Sequence, residues 1–288
     1  MDRRDLLKGM AMSAAALALR PSLLRAAAQD ADARLATLEQ HYGGRLGVAI
    51  WDTGNGRRAG HRADERFLLC STFKMLLAAA VLKRVDRGTA RLDTRLTFGK
   101  DVLLEYAPVT SQHVGAPGMS IAELCHAAIT LSDNTAANVL MKHLGGPHVV
   151  TELARQLGDG ITRLDHIEPE LNRPSPDGVS DTTTPNAMLA NLHALLLGDA
   201  LSAASRTQLT EWMLGTVTGK QLLRVGVPAT WRIGEKTGSG DTLKNDVAIL
   251  WPPARKPLLA AVYYDNAALD SVGRSAVLAA VGRVLATL

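Results

Sequence analysis

An eight-residue run that is apolar on every helical face, Met75-Leu76-Leu77-Ala78-Ala79-Ala80-Val81-Leu82, follows Cys70-Ser71-Thr72-Phe73-Lys74. A helix without a polar stripe has to be enclosed by other elements. Lys74 and Lys83 bracket the run, which is too short to span a bilayer. The chain must therefore build a shell of further structure around this helix. Ser71 falls at its start, where N-cap serines are common and backbone N–H groups are free. Lys74 lies three residues on, so its amine shares a face with the Ser71 hydroxyl. A serine hydroxyl becomes a useful nucleophile when a nearby base takes its proton, and a desolvated amine has a lowered pKa and can be that base. The same pair also reads as a helix cap beside a snorkelling lysine, so its meaning rests on the rest of the chain.

With 288 residues the chain can bury a large core, in one domain or two interlocked ones. Aromatic residues make up only 4%, which argues against a stacking platform for nucleic acid. The N-terminus reads as an export signal: the twin-arginine head Arg3-Arg4-Asp5-Leu6-Leu7-Lys8, an apolar segment from Gly9 to Leu19, and the small-residue site Ala26-Ala27-Ala28. Residues 1–28 hold five Lys/Arg and two Asp, so their removal takes the net charge from +4 to about +1. No nucleic-acid partner is expected. The mature chain is expected to be periplasmic or secreted, without a stable membrane anchor and monomeric. Cys70 and Cys125 are expected to be free thiols. There is no C-x-x-C, H-E-x-x-H or H-x-H, so neither a metal nor a cofactor is expected.

The remaining pattern separates the ends of the chain from its middle. A helix from Ala31 to His41 is followed by a strand over Leu46–Asp52, a turn at Thr53-Gly54-Asn55-Gly56 and a hairpin partner from Arg57 to His61. Ser120-Ile121-Ala122-Glu123 is a capping box opening a helix through Ile129. Leu131-Ser132-Asp133-Asn134-Thr135 interrupts two apolar helices. Its polar trio either caps the helix Ala136–Leu144 or lines a cavity. Arg163 to Asp181 is a loop of nineteen residues without periodicity, and loops of that length inside a compact fold are usually functional. Thr184-Pro185 starts a helix to Leu197, and another covers Ser205–Met213. Strands return at Trp231–Thr237, Asn245–Trp251 and Pro257–Tyr264, with a turn at Gly238-Ser239-Gly240-Asp241, before an amphipathic helix from Ser271 to Leu288. Hairpins without βαβ alternation favour an α+β fold with an antiparallel sheet of about five strands, contributed by both chain ends and flanked by helices.

Four stretches now stand in order: Ser71-x-x-Lys74, Ser132-Asp133-Asn134, Glu168-x-x-Leu171-Asn172 and Lys236-Thr237-Gly238, about 60, 35 and 70 residues apart. Each is common alone; together they resemble the class A serine β-lactamases, whose S-x-x-K, S-D-N and K-T-G motifs are shared with penicillin-binding proteins. The likeness runs from about Asp30 to the C-terminus and includes Leu131–Leu140, Asp181-Thr182-Thr183, and Thr218-Gly219 with Arg224. It implies a two-lobed α/β sandwich: residues 29–62 with 216–288 as an α/β domain and 63–215 as an inserted all-helical domain. It implies hydrolysis of penicillins, and of cephalosporins, with antibiotic resistance as the outcome. Ser71 would be acylated and Lys74 would share in its activation. Ser132 would relay a proton to the departing nitrogen, and Glu168 would activate the deacylating water with help from Asn172. Either Lys74 or Glu168 could take the first proton. Choosing Glu168 over Glu170 rests on the family pattern alone. Asn134 would bind the substrate's acylamide side chain, Lys236, Thr237 and Arg224 its carboxylate, and Tyr106 would wall the cleft. Backbone N–H groups of Ser71 and Ser239 would form the oxyanion hole. The resemblance further implies a cis peptide between Glu168 and Pro169.

The chain departs from the family in three places. Many relatives pair a cysteine at the Cys125 position with one where this chain has Ala78, and carbapenem-hydrolysing relatives pair one at the Cys70 position with one where it has Gly240; neither bridge can form. Most relatives carry arginine where this chain has His166, whose expected partner is Asp181. Ser239 and Asp241 resemble enzymes active on cephalosporins. A penicillin-binding carboxypeptidase would use the same Ser71 chemistry but lacks a use for Glu168, and a sensor domain would need a membrane tether that no hydrophobic span after residue 28 supplies.

Overall fold

The computed structural model describes residues 30–288; the twin-arginine segment lies outside the described residues. Its frame is a five-stranded, fully antiparallel sheet of β1 (Arg45–Asp52), β2 (Arg58–His61), β3 (Arg232–Ser239), β4 (Leu243–Trp251) and β5 (Leu258–Asp265), in the order β2-β1-β5-β4-β3. The first hairpin thus joins the C-terminal meander through β1 and β5, as the separation of strands to the two chain ends predicts. One face carries Val48, Ile50, Ala248, Leu250, Ala260 and Val262 against the terminal helices α1 (residues 30–42) and α9 (Ser271–Leu285). The other face packs Ala49, Val247, Ile249, Leu259, Ala261 and Tyr263 against the helical layer. Because both faces are covered, β5 and the second half of β4 read as near-continuous apolar runs rather than alternating ones.

The all-apolar run forms α2 (Phe73–Asp86), with every residue from Phe73 to Leu82 buried. Packed against it are α3 (Ile121–Thr130), α4 (Asn134–Leu144), α5 (His148–Gln156) and α7 (Ala203–Leu214), while α6 (Pro185–Leu196) packs on β1 and β5. A short α8 (Leu223–Gly226) lies against α9. Helix starts follow the sequence signals. Ser120 and Glu123 close the capping box, and Thr184 accepts from Ala187 N ahead of Pro185. The helix α5 is an element that the sequence pattern left unread.

Two boundaries differ from expectation. Ser71 does not cap α2: Cys70–Thr72 is a single 3-10 turn ahead of it, and no side chain caps the helix. The strand β3 continues through Gly238 and Ser239, because pairing with β4 persists to Ser239↔Lys244; the turn is confined to Gly240-Asp241-Thr242. Gly238 is required by a close approach. A Cβ there would lie 3.1 Å from Cys70 Cβ and 3.2 Å from Asn245 Cβ, so its absence lets β3 run against the Ser71 turn.

Candidate active site

The cleft lies where the Ser71 turn, the α3–α4 junction, the Glu168 loop and the edge strand β3 meet. It measures about 340 Å3, and its walls include Ser71, Tyr106, Ser132, Asn134, Glu168, Asn172, Thr237 and Ser239. A wider, more apolar hollow of about 480 Å3 lies against the far side of the Glu168 loop and shares Glu168 as a wall.

At its floor is a closed polar network. Ser71 Oγ accepts from Lys74 Nζ at 2.9 Å and donates to Glu168 Oε1 at 3.3 Å. Lys74 Nζ also meets Glu168 Oε1 at 2.9 Å, Ser132 O at 2.9 Å and Asn134 Oδ1 at 2.5 Å. Ser132 Oγ accepts from Lys236 Nζ at 3.0 Å, so hydrogen bonds link both lysines to the serine hydroxyl groups. Burial lowers the pKa of Lys74, with Glu168 pulling the other way. Burial, and then the charge of Lys74, hold Lys236 well below the usual lysine range. Both shifts make these amines easier to deprotonate than a solvated lysine.

The backbone makes this convergence possible at a cost. Cys70 (φ 42°), Ser132 (φ 59°) and Asp181 (φ 57°) all occupy the left-handed region without being glycine. Each such residue costs on the order of 1 to 3 kcal/mol and persists when its surroundings over-determine it. Ser132-Asp133-Asn134 resolves into both of its readings. Asp133 caps α4 by accepting from Ala136 N at 2.8 Å and fixes the neighbouring loop through Val109 N and Thr110 N. Ser132 and Asn134 face the cleft on either side.

Glu168 is placed by its loop and by α4. Asn138, one turn after Asn134, donates to Glu168 O at 2.9 Å and accepts from Glu168 N at 3.0 Å. Asn172 Nδ2 donates to Glu168 Oε2 at 2.6 Å, and the buried Asn172 Oδ1 has no partner among the described residues. The Glu168–Pro169 bond is cis. At the neck of the loop, Asp181 Oδ2 lies 2.6 Å from His166 Nδ1, while Asp181 Oδ1 accepts from the backbone N–H groups of Asp165 and His166. The bond and charge of Asp181 raise the pKa of His166.

Most of the expected residues converge, and one does not. Arg224 is turned away from the cleft: its guanidinium donates to Glu235 Oε1 at 2.7 and 3.0 Å and to Ile233 O at 3.1 Å. The expectation that it would hold a substrate carboxylate is therefore corrected; it neutralises a carboxylate buried behind β3. Tyr106 stands at the rim, half-exposed, and Thr237 Oγ1 bonds Thr218 Oγ1 at 2.6 Å. Sequence reasoning missed Asn138, whose signal was its position one turn beyond Asn134. It also missed Lys244, which lines the cleft opposite Ser239. Cys70 and Cys125 are both fully buried free thiols, and burial pushes the pKa of each up. Among the described residues no group of three His, Cys, Asp or Glu side chains could hold a metal ion, and no helix is long and apolar enough to cross a membrane.

A family model described as the β-lactamase enzyme family matches residues 30–287. The β-lactamase L2 of Stenotrophomonas maltophilia is 46% identical, over 98% of this chain and 97% of that protein. The β-lactamase CTX-M-8 of Citrobacter amalonaticus is 43% identical over 99% of both. A solved ancestral class A β-lactamase superposes with a TM-score of 0.86 at 56% identity, covering 88% of this chain and 98% of that one. Whole-length similarity in sequence and fold, on top of the Ser71–Lys74–Ser132–Glu168 network, leads to one conclusion: the chain belongs to the class A β-lactamase family.

Proposed function

We propose that the chain hydrolyses the amide bond of β-lactams, penicillins first and cephalosporins with them, through an acyl-enzyme on Ser71, and so confers antibiotic resistance. The observation that carries this reading is the single hydrogen-bonded network joining Ser71, Lys74, Ser132 and Glu168 at the floor of the cleft. Ser71 Oγ bonds the lactam carbonyl carbon while its proton passes to the Lys74–Glu168 pair, whose charged atoms lie 2.9 Å apart. The backbone N–H groups of Ser71 and Ser239 receive the developing oxyanion, a contribution of a few kcal/mol. The carbon–nitrogen bond then breaks, and Ser132 hands the nitrogen a proton from its lysine neighbours. Asn134 and Asn172 border the acylamide side chain, Lys236 and Thr237 the carboxylate, and Tyr106 the open rim.

In the second half, Glu168 takes a proton from a water that attacks the ester, and Ser71 is released. The unpartnered Asn172 Oδ1 beside Glu168 supports a polar position for that water. A carboxylate held against the nucleophile also separates this site from a penicillin-binding protein, which keeps its acyl group. The test is a mass-spectrometric time course with benzylpenicillin. The wild type should show a transient adduct, Glu168→Ala a lasting one, and Ser71→Ala none. A lasting adduct on the wild type would identify a penicillin-binding protein instead.

The insertion of helical residues 63–215 between 29–62 and 216–288 is proposed as the domain division, supported by a cleft bounded by both parts. Export by the twin-arginine route, placing the mature enzyme in the periplasm or outside the cell, is proposed from Arg3-Arg4 and the segment after them. Arg3→Lys with Arg4→Lys should retain the precursor in the cytoplasm, and unchanged periplasmic yield would point to the general secretory route.

A further inference from the structure

The Ser71 turn and the end of β3 are tied together by one side chain that belongs to neither. Asn245 on β4 is fully buried and in phase with Val247 and Ile249 on the sheet face that meets the helical layer. Its Nδ2 donates to Leu68 O at 3.0 Å and to Leu69 O at 3.2 Å, the two carbonyls just ahead of Cys70 and Ser71. Across the ladder, Asn245 is the register partner of Gly238, the residue before Ser239. A Cβ on Gly238 would lie 3.2 Å from Asn245 Nδ2, so the glycine leaves the amide its path to the turn. Both Nδ2 hydrogens are thus used. Asn245 Oδ1, in contrast, is buried with no partner among the described residues. A leucine of similar size would fill the same apolar layer without stranding an oxygen. What the amide adds at this position is its two donors.

We propose that Asn245 is a positioning residue, which sets the aim and spacing of the Ser71 and Ser239 N–H groups around the substrate's carbonyl oxygen. This rests on the β-lactam reading above, in which those two groups form the oxyanion hole. The Ser71 N–H belongs to the peptide after Cys70, whose backbone is left-handed at φ 42°. Such a conformation persists when its surroundings over-determine it. Asn245 clamps the two preceding peptide planes through their carbonyls. The Leu69 N–H is held from elsewhere by Asp181 O at 2.9 Å, and Leu69 O also accepts from Thr72 N and Thr72 Oγ1. With those planes fixed, the Ser71 N–H is aimed in one direction. The Ser239 N–H belongs to the peptide after Gly238, which lies directly across from Asn245. One residue of β4 thus sets one donor through its side chain and the other through its backbone.

Donors of this kind act where charge develops, in the tetrahedral states of both acylation and deacylation. The side chains that border the substrate in its ground state, Asn134 and Thr237 among them, are not held by the Asn245 amide. Losing the clamp should therefore lower kcat more than it weakens non-covalent binding. The acyl-enzyme supplies a direct reporter, since its ester carbonyl occupies the same hole. Hydrogen bonds to that oxygen weaken the C=O bond and lower its stretching frequency.

The test takes infrared difference spectra of the benzylpenicillin adduct on the full chain carrying Glu168→Ala. To that background are added Asn245→Leu, which keeps the volume and removes both donors, or Asn245→Ser, which keeps one. The ester carbonyl band should move to higher frequency in the order Asn, Ser, Leu. With Glu168 intact, kcat for benzylpenicillin should fall in the same order, about tenfold or more for Asn245→Leu. Arg224→Ala, which loosens the same strands from behind, is the stability control and should leave the band in place. Lost activity with an unmoved band in Asn245→Leu would overturn the inference, as would an equal band shift in Arg224→Ala. If Asn245→Leu does not fold, Asn245→Ser decides by the same two criteria. A Glu168→Ala chain that forms no adduct would instead sink the β-lactamase reading itself, so the two failures are distinguishable.

Discussion

Behind β3, Glu235 and Asp246 are two carboxylates with no exposed surface, and the guanidinium of Arg224 is the cation that serves them. Burial raises the pKa of Glu235 against the pull of Arg224, and burial together with Glu235 raises that of Asp246. Removing one partner of a buried pair leaves an uncompensated charge and costs about 3 kcal/mol or more. Arg224→Ala should therefore lower Tm by on the order of 10 °C, with KM for penicillin nearly unchanged in the folded fraction. Calorimetry and kinetics on the same preparation check this; an unchanged Tm with a raised KM would return Arg224 to the cleft. Arg224, expected in the cleft, and Lys244, left unread, show what a sequence conveys about a site. Ser71 with Lys74, and Ser132 with Asn134, are legible because each pair is fixed by one turn of local backbone. The fates of Arg224 and Lys244 depend on which strands pair and in which register. That information resides in Ser239↔Lys244 and not in any short motif.

The Glu168 loop is the element on which the proposed water step depends, and its neck is closed by His166 and Asp181. His166 is half-exposed and bonded to a buried Asp181. A raised folded-state pKa means that the contribution of His166 is fully present below its unfolded value, about 6.5. It is lost as pH rises through the folded one. Asp181 also receives two backbone donors, so the neck loosens at alkaline pH without opening outright. Bulky oxyimino cephalosporins should accordingly gain on benzylpenicillin in kcat/KM between pH 5.5 and 8.5. His166→Arg, charged throughout, should flatten that slope; parallel slopes would exclude the neck as the cause. Elements announced by their own punctuation were legible: the capping box of α3, the Thr184-Pro185 start of α6, and the strands of the two chain ends. The helix α5 was not, because Pro147 at its N-cap reads as a break and only nine residues follow. The length of β3 was not either, since Gly238 looks like a turn until its neighbour Cys70 is known.

At the scale of the molecule, the site draws on segments from Ser71 to Lys244, and β1 must meet β5 before the sheet is whole. Catalytic competence is thus a property of the complete fold. The two buried thiols give that statement a time axis. Cys125 lies inside the helical core, whereas Cys70 sits beneath the seam of β3 and the Ser71 turn with Leu68 and Leu243. Neither can meet a solvent-borne reagent while the chain is closed, and protonated buried thiols react slowly. A disulfide reagent such as DTNB should leave both untouched in the native protein over minutes. Each should then be labelled at the rate at which its own surroundings open. Acylated Glu168→Ala should delay labelling of Cys70 more than that of Cys125, read by peptide mass spectrometry. Rapid labelling of either thiol without substrate would contradict its burial. With no bridge to the Ala78 or Gly240 positions, the chain carries two independent clocks: one counts how often the core breathes, the other how often the antibiotic's floor lifts.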